Sequence, residues 1–286
     1  MSQIRKAAVA GLFYEANPRD LKRRIRWCYQ HQLGPGTLPE TLGAKRTIKG
    51  LIVPHAGYMY SGPVAAHSYL ELARDGLPET FIILCPNHTG RGSLISTMTT
   101  GEWETPLGRV QIDTQLAQEM LKLSSIIDDE PLAHQREHSV EAQLPFIQYL
   151  AESFNKKFKI VPIAMMMQDL ETATEVGKAI YEASKTLNRD VVVVASTDLT
   201  HYKSQEVASQ EDKAVLDALK KMDQKVVLEV VEEYNVNMCG YGPLAATMTA
   251  TKLMGASEAR VLKYATSGET SGNYQEVVGY AAGVIR

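Results

Sequence analysis

Cysteine is scarce in this chain of 286 residues, which contains only Cys28, Cys85 and Cys239. An odd number of cysteines cannot pair completely into disulfides and is typical of a protein in a reducing cytosol. Long apolar runs are also missing. The N-terminus leads into no apolar signal core, and the longest purely aliphatic stretch, residues 191–195, is far shorter than the ~20 residues that span a bilayer. We therefore expect a soluble cytoplasmic protein that has no membrane partner.

The chain also lacks an excess of positive charge. Its 30 lysines and arginines are outnumbered by 33 aspartates and glutamates, which gives a formal net charge of −3. Surfaces that bind nucleic acid are usually basic, so this balance excludes nucleic acid from the expected partners. Hydrophobic residues make up 44% of the chain, which is enough for a substantial core. No change of composition marks a linker, and we predict a single domain over residues 1–286.

Segments with helical periodicity alternate with short apolar segments that are typical of buried strands. The predicted helices are residues 18–32, 63–73, 113–123, 140–153, 170–187, 205–221, 224–234 and 243–254. The predicted strands are residues 48–53, 80–85, 93–99, 108–112, 158–164, 190–196, 260–266 and 276–285. This alternation predicts an α/β fold in which a mainly parallel central sheet is flanked by helices. Ser139 is the expected N-cap of the fourth helix, and the last strand is expected to run antiparallel or to lie at an edge.

Histidines follow two of the predicted strands, at the point where each strand ends. His55 and His88 stand shortly after apolar runs, and a third run is followed by Asp198 and His201. The carboxyl ends of parallel strands meet at one edge of a sheet, where ligands and metals gather. A single loop histidine often only hydrogen-bonds the backbone, but the repeated context favours a metal-binding or catalytic role.

A thiol and several acids complete the candidate site. Cys239 directly precedes a predicted helix, whose N-terminus would lower the pKa of the thiol and favour a thiolate ligand, although a small apolar residue in a turn is the alternative. Asp198 and His201 share one loop and could serve as hydrogen-bond acceptor and general acid/base, with helix capping as the alternative for Asp198. His138 and Glu141 lie where the fourth helix starts, where helix capping is again the alternative to a site role.

Five motifs in this order give the chain a resemblance to a known family. They read PHAGY at 54–58, NHTG at 87–90, EHSVEAQLP at 137–145, STDLTH at 196–201 and CG at 239–240. The chain resembles the Memo family, and the resemblance runs over nearly its whole length. The resemblance implies a fold similar to that of the class III extradiol dioxygenases. It also implies that His55, His88 and Cys239 form a metal triad, with His201 as the acid/base residue and Asp198 beside it.

The resemblance also sets the expected functions. Family members have been linked to copper- or iron-dependent redox chemistry, eukaryotic ones to phosphotyrosine-peptide binding, and prokaryotic ones are often encoded near a radical SAM protein. The leading prediction is an oxidoreductase that binds one transition-metal ion, iron or copper, with zinc as a further possibility. The alternatives are a non-catalytic module for a small-molecule or peptide ligand and a hydrolase that uses zinc-bound water. An oligomer is compatible with the sequence.

Two departures from related proteins affect these expectations. The dioxygenases use a carboxylate as the third ligand, whereas Cys239 offers sulfur, which softens the site toward copper(I), zinc or a differently tuned iron. Phe13 stands where eukaryotic relatives tend to have tryptophan, which weakens the transfer of phosphopeptide binding. The predicted pocket residues are Phe13, Tyr58, Tyr60, His138 and Glu141.

Overall fold

The computed structural model describes residues 3–286. It contains a 12-stranded mixed sheet flanked by helices. Residues 1 and 2 of the predicted domain lie outside the described residues. The strands are β1 (Ile4–Arg5), β2 (Gly50–Val53), β3 (Thr80–Pro86), β4 (Ile95–Thr97), β5 (Glu102–Thr105), β6 (Gly108–Ile112), β7 (Asp128–Asp129), β8 (Lys159–Met165), β9 (Val191–Ser196), β10 (His201–Lys203), β11 (Ala259–Thr266) and β12 (Val277–Ile285). The helices are α1 (Pro18–Gln30), α2 (Gly62–Asp75), α3 (Thr114–Leu123), α4 (Leu144–Ser153), α5 (Leu170–Thr186), α6 (Gln205–Leu219), α7 (Gln224–Glu233), α8 (Tyr241–Leu253) and α9 (Gly268–Ser271).

The strand order explains where the loops meet. The order is β1-β5-β6-β8-β3-β9-β2-β12-β10, with β11 paired to β12 and β4 paired to both β7 and β8. The central run from β6 to β2 is parallel throughout. The predicted α/β fold with a mainly parallel central sheet is therefore confirmed. The last strand, β12, is antiparallel to β2, β10 and β11 and lies inside the sheet.

The central strands are apolar because both faces of the sheet are covered. Every residue of β2, β3 and β9 is buried, and a parallel strand buried on both faces needs a continuous apolar run. The strands are paired in register, with Val53 beside Ser196 and Leu84 beside Ala195. The loops that follow β2, β3 and β9 therefore leave the sheet at the same edge. Among residues 3–286, none of the helices has the length and apolar character needed to cross a lipid bilayer.

The fourth helix begins later than predicted. A short 3₁₀ turn over Glu141–Gln143 precedes α4, which starts at Leu144 and has Pro145 in its first turn. The expected N-cap, Ser139, lies outside the helix, and its hydroxyl donates a hydrogen bond to the carboxylate of Glu137 at 2.7 Å. The prediction of Ser139 as the N-cap was wrong because the helix begins five residues later, at Leu144.

A buried ion pair joins the N-terminal strand to the segment before α4. Arg5 and Glu141 are both buried and form a salt bridge. Glu141 also accepts hydrogen bonds from the backbone amides of Ala8 and Val9 and from the hydroxyl of Tyr14. The Arg5 guanidinium donates to the carbonyls of residues 134 and 137 and lies 4.4 Å from the centroid of a buried tryptophan ring. These bonds satisfy both charges, which is the condition under which a buried ion pair is tolerated.

We expect Glu141→Gln to lower the free energy of unfolding by about 3–5 kcal/mol, because it leaves the Arg5 guanidinium buried without a counter-charge. Urea denaturation followed by circular dichroism measures this loss. Glu152→Gln is the matched control, since Glu152 forms its ion pair with Lys22 at the surface and its substitution should leave stability unchanged. Equal stability of the two variants would contradict the assignment of Glu141 to the core.

His134 is a second buried polar group in this region. Its ring is fully buried against Trp103, with ring centroids 5.7 Å apart, and its Nε2 lies 3.2 Å from the carbonyl of Ser96. Burial lowers the pKa of His134 from 6.5 to about 4. An unfolded chain binds a proton at this histidine below pH 6.5, whereas the folded chain does so only near pH 4. Folding stability at this residue is therefore lost as the pH falls through that window.

We expect the wild-type protein to lose up to about 3 kcal/mol more stability between pH 6.5 and pH 4 than the variant His134→Gln, at ~1.4 kcal/mol per unit of pKa shift. Urea unfolding at several pH values gives both slopes. Glutamine keeps a donor for the Ser96 carbonyl but does not titrate. If the free energy of unfolding changes equally with pH in the two proteins, the pKa of His134 is not lowered by folding, which would contradict the prediction.

Candidate metal centre

Four segments deliver polar side chains to one pocket at the carboxyl edge of the sheet. His55 follows β2, His88 follows β3, Asp198 follows β9, and Cys239 stands just before α8. The pocket has a volume of about 450 Å³. Its lining residues are Phe13, His55, Ala56, Gly57, His88, His138, Asp198, His201, Tyr202, Asn237, Cys239 and Val278. The structure therefore brings His55 and Cys239, which are 184 positions apart in the chain, close together.

Three of these residues are arranged as a possible metal-binding set. His55, His88 and Cys239 each offer one ligand atom, and these atoms all lie within 4.8 Å of one another. The Nε2 atom of His55 lies 3.4 Å from the Sγ atom of Cys239. His55 and Cys239 are inside the pocket, whereas His88 lies at its solvent-exposed side. Two imidazoles and one sulfur are a donor set suited to iron, copper or zinc.

Hydrogen bonds fix the tautomer of His55. The hydroxyl of Ser196 donates to the carbonyl of Ser139 at 2.8 Å and accepts from the side-chain amide of Gln143 at 2.8 Å. The Nδ1 atom of His55 lies 3.0 Å from the same hydroxyl, whose proton is already used. Nδ1 must therefore carry the proton and donate it to Ser196. This leaves the Nε2 lone pair of His55 free on the side of Cys239.

A buried carboxylate orients His88 in the same way. The Nδ1 atom of His88 lies 3.1 and 3.2 Å from the two carboxylate oxygens of Glu137, and the backbone amide of His88 donates to Glu137 at 2.7 Å. Burial alone would raise the pKa of Glu137, but the hydrogen bond and charge of His88, together with Ser139, hold it well below its usual range. A carboxylate behind a ligating histidine fixes the ring and strengthens its donor nitrogen.

Cys239 is held close to the end of β9 by a glycine. A Cβ atom at Gly240 would lie 2.7 Å from the Cβ of Thr197, so only glycine allows this approach. The backbone amide of Asp198 donates to the sulfur at 3.3 Å. Burial and the neighbouring Asp198 nevertheless raise the pKa of the Cys239 thiol. Burial and Asp198 therefore act against the lowering of this pKa that the sequence analysis expected from the helix N-terminus. A cation bound beside the sulfur would favour the thiolate.

Asp198 and His201 also line the pocket. Asp198 is buried, accepts a hydrogen bond from the backbone amide of His55 at 2.8 Å, and has its second oxygen 3.9 Å from the Nε2 atom of His55. Burial raises the pKa of Asp198. The Nδ1 atom of His201 donates to the carbonyl of Asn237 at 2.9 Å, so Nε2 is its free ring nitrogen in the neutral form.

His138 and Phe13 form an aromatic part of the wall. The His138 ring stacks on His88 with a centroid separation of 4.8 Å and contacts the Phe13 ring edge-on, also at 4.8 Å. Burial lowers the pKa of His138, which favours the neutral imidazole. Its ring nitrogens have no hydrogen-bond partner among the described residues. Both residues are pocket-lining, as the sequence analysis expected.

Three predicted pocket residues lie elsewhere. Tyr58 is buried and donates its hydroxyl proton to the carbonyl of Ala142 at 2.6 Å, so its ring belongs to the core. Glu141 forms the buried ion pair with Arg5. Tyr60 is partly exposed on the turn after His55 and does not reach the pocket wall. These placements correct the expectation, because neighbouring positions of the turn after β2 point in different directions and Glu141 is held by Arg5.

Other residues with clear roles were missed by the sequence analysis. Glu137 orients His88, Ser196 and Gln143 orient His55, and Asn237 orients His201. Glu137 and Gln143 stand in one of the quoted motifs, but a linear pattern does not show which histidine they face.

A larger pocket of about 740 Å³ opens at the opposite edge of the sheet. It lies beside Thr80 and Lys159, at the amino ends of β3 and β8, and lysines and glutamates are among the residues that line it.

Comparison with a solved structure supports the fold. A crystal structure of an uncharacterized protein from Escherichia coli K12 matches with a TM-score of 0.55 and 14% sequence identity, covering 83% of this chain and 99% of that one. At this level of identity the likeness concerns the fold alone.

Comparison with sequences gives the family. Residues 5–284 match the family described as Memo-like protein. A MEMO1 family protein of Methanopyrus kandleri is 52% identical over 282 residues, which are 99% of both chains. Another, from Methanothermobacter thermautotrophicus, is 53% identical over 278 residues, covering 97% of this chain and 99% of its own, and one from Methanocaldococcus jannaschii is 49% identical over the full length of both. The chain therefore belongs to the Memo-like protein family.

Proposed function

We propose that this protein is a metal-dependent oxidoreductase whose metal ion is bound by His55, His88 and Cys239. The observation that carries the proposal is the convergence of three ligand atoms within 4.8 Å of one another, with the opposite ring nitrogen of each histidine already engaged. Ring orientation by Ser196 and Glu137 is what a ligating histidine requires. A purely structural role would not account for the approach of three such ligand atoms to one another.

Three protein ligands leave coordination positions open for exogenous molecules, which is typical of a catalytic rather than a structural metal site. Iron or copper bound here would supply one-electron redox chemistry next to the pocket. The sulfur of Cys239 replaces the carboxylate of the resembled dioxygenases and shifts the preference toward copper(I), zinc or a differently tuned iron. Of these, copper and iron are redox-active and are the expected metals.

Asp198 and His201 are placed to manage protons in this pocket. The Nδ1 proton of His201 is held by the carbonyl of Asn237, which leaves Nε2 to accept a proton from a bound molecule and return it. Asp198 holds the backbone of His55 and lies beside the sulfur of Cys239. We assign the acid/base role to His201 and a positioning role to Asp198.

The phosphopeptide-binding alternative has less support. Within the described part of the chain, the pocket wall contains neither lysine nor arginine. Recognition of phosphotyrosine ordinarily depends on arginine, which pairs with phosphate through two parallel hydrogen bonds.

Hydrolysis by zinc-bound water would use the same three ligands. It would not consume oxygen, and the oxygen-consumption experiment below therefore separates it from redox chemistry.

We expect the anaerobically purified protein to bind one iron(II) or copper(I) ion per chain. Cys239→Ala should weaken binding by more than about 100-fold, and Glu137→Gln by about 10- to 100-fold, the usual effect of losing a partner of a ligating histidine. Competition with a chromophoric chelator and elemental analysis measure both. Cys28→Ala and His67→Gln are matched controls at residues that face the core and the Leu33 carbonyl. Unchanged metal content in Cys239→Ala would remove the proposed site.

The redox assignment is tested by oxygen consumption of the iron- or copper-loaded protein with ascorbate as reductant. We expect consumption above that of the free metal, and a decrease of about 10²- to 10⁴-fold in His201→Ala with its metal retained, the usual contribution of a general acid or base. The zinc-loaded protein should be inactive in this assay. Equal consumption by the wild type and His201→Ala would exclude the proposed role of His201.

A further inference from the structure

Tyr202 has an unusual backbone conformation at the edge of the pocket. Its φ angle is +56°, in the left-handed region that bulky side chains rarely adopt. The described non-glycine residues with positive φ are Asn155, Asn188, Tyr202, Met222 and Asn235. Asparagine tolerates this region best. Tyr202 is the only aromatic member of the set and the only one that lines the pocket.

The fold gains little from this tyrosine. Its side chain is 73% exposed, and its hydroxyl has no hydrogen-bond partner among the described residues. The nearest aromatic ring is that of His201, with centroids 5.7 Å apart. Strained backbone conformations of this kind cluster at functional sites.

Tyr202 coincides with an irregularity in the pairing of β10 with β12. Successive residues of a regular strand point to opposite faces of the sheet. The pairing of β10 with β12 is interrupted by a register shift between His201 and Lys203, at the position of Tyr202. As a result, His201 and Tyr202 both line the pocket although they are neighbours in the chain. The bulge therefore adds an aromatic ring to the wall next to the proposed acid/base residue.

The chemistry of the wall indicates what this ring contacts. Phe13 and His138 contribute two more planar rings to the same pocket, and its described lining has no lysine or arginine. The neighbouring Lys203 is engaged by Glu211 and by the carbonyl of Asn235. The wall suits an uncharged planar group rather than a phosphate.

We infer that Tyr202 is a specificity-determining residue, which packs against an aromatic ring of a ligand whose other end reaches the metal. The inference rests on the metal site proposed above and adds to it a substrate class: small molecules that carry both a metal-binding group and an aromatic ring.

The test compares two ligands with the same metal-binding group, benzohydroxamate and acetohydroxamate, in calorimetric titrations of the zinc-loaded protein. We expect benzohydroxamate to bind more tightly to the wild type. Tyr202→Gly should weaken benzohydroxamate by about 5- to 10-fold, the scale of one aromatic contact, and leave acetohydroxamate unchanged. Tyr202→Phe should behave like the wild type.

Two controls separate binding from folding. Tyr202→Gly should keep or raise the Tm, because glycine adopts a positive φ without strain. Tyr234→Ala removes another exposed tyrosine that lies outside the pocket lining and should not change the ratio of the two affinities.

The outcomes distinguish the two proposals. If both hydroxamates bind only to the metal-loaded protein and their affinity ratio is the same in Tyr202→Gly, the metal site stands and the role of Tyr202 is refuted. If neither hydroxamate shows metal-dependent binding, the metal site is refuted, and the role of Tyr202 is refuted with it.

Discussion

The parallel pairing of β9 with β2 on one side and β3 on the other brings His55, His88 and Asp198 to the same edge of the sheet. Because the three strands run in the same direction and are buried on both faces, their following loops can only emerge together. His55, His88 and Asp198 are each within a few residues of those strand ends. The apolar character of the strands is thus what makes a polar centre possible at their common edge.

Around this edge, buried polar residues form a continuous support. Arg5 bonds both to the Glu141 carboxylate and to the carbonyl of Glu137, so the N-terminal strand is tied to the segment that orients His88. On the other side, Gln143 joins the carbonyl of Pro54 to the hydroxyl of Ser196, which orients His55. Leaving a polar group of such a network unpaired in the low-dielectric interior would cost folding free energy. Arg5, Glu141 and Gln143 each have hydrogen-bond partners here. Fold stability and the orientation of the two imidazoles therefore depend on the same short segment before α4.

Much of this arrangement could be predicted from the sequence, for identifiable reasons. Apolar runs of strand length give the sheet, and the chemistry of imidazole and thiol at strand and helix ends gives His55, His88 and Cys239. Partners that act across space could not be predicted: nothing in the linear order shows that Ser196 faces His55. Tyr58 is only three residues from His55, yet the turn directs its hydroxyl to the carbonyl of Ala142. The effect of burial on the pKa of Cys239 could not be predicted, because burial depends on the packed structure, whereas helix position can be read from the chain.

The contact between Gly240 and Thr197 has a consequence for the loop that carries Cys239. The loop bearing Cys239 lies against the strand end so closely that a single added methyl group would collide with it. This close packing holds the backbone next to Cys239 against the end of β9, with the sulfur 3.4 Å from the Nε2 atom of His55. Preorganisation of this kind would reduce the entropic cost of binding an ion at the proposed site.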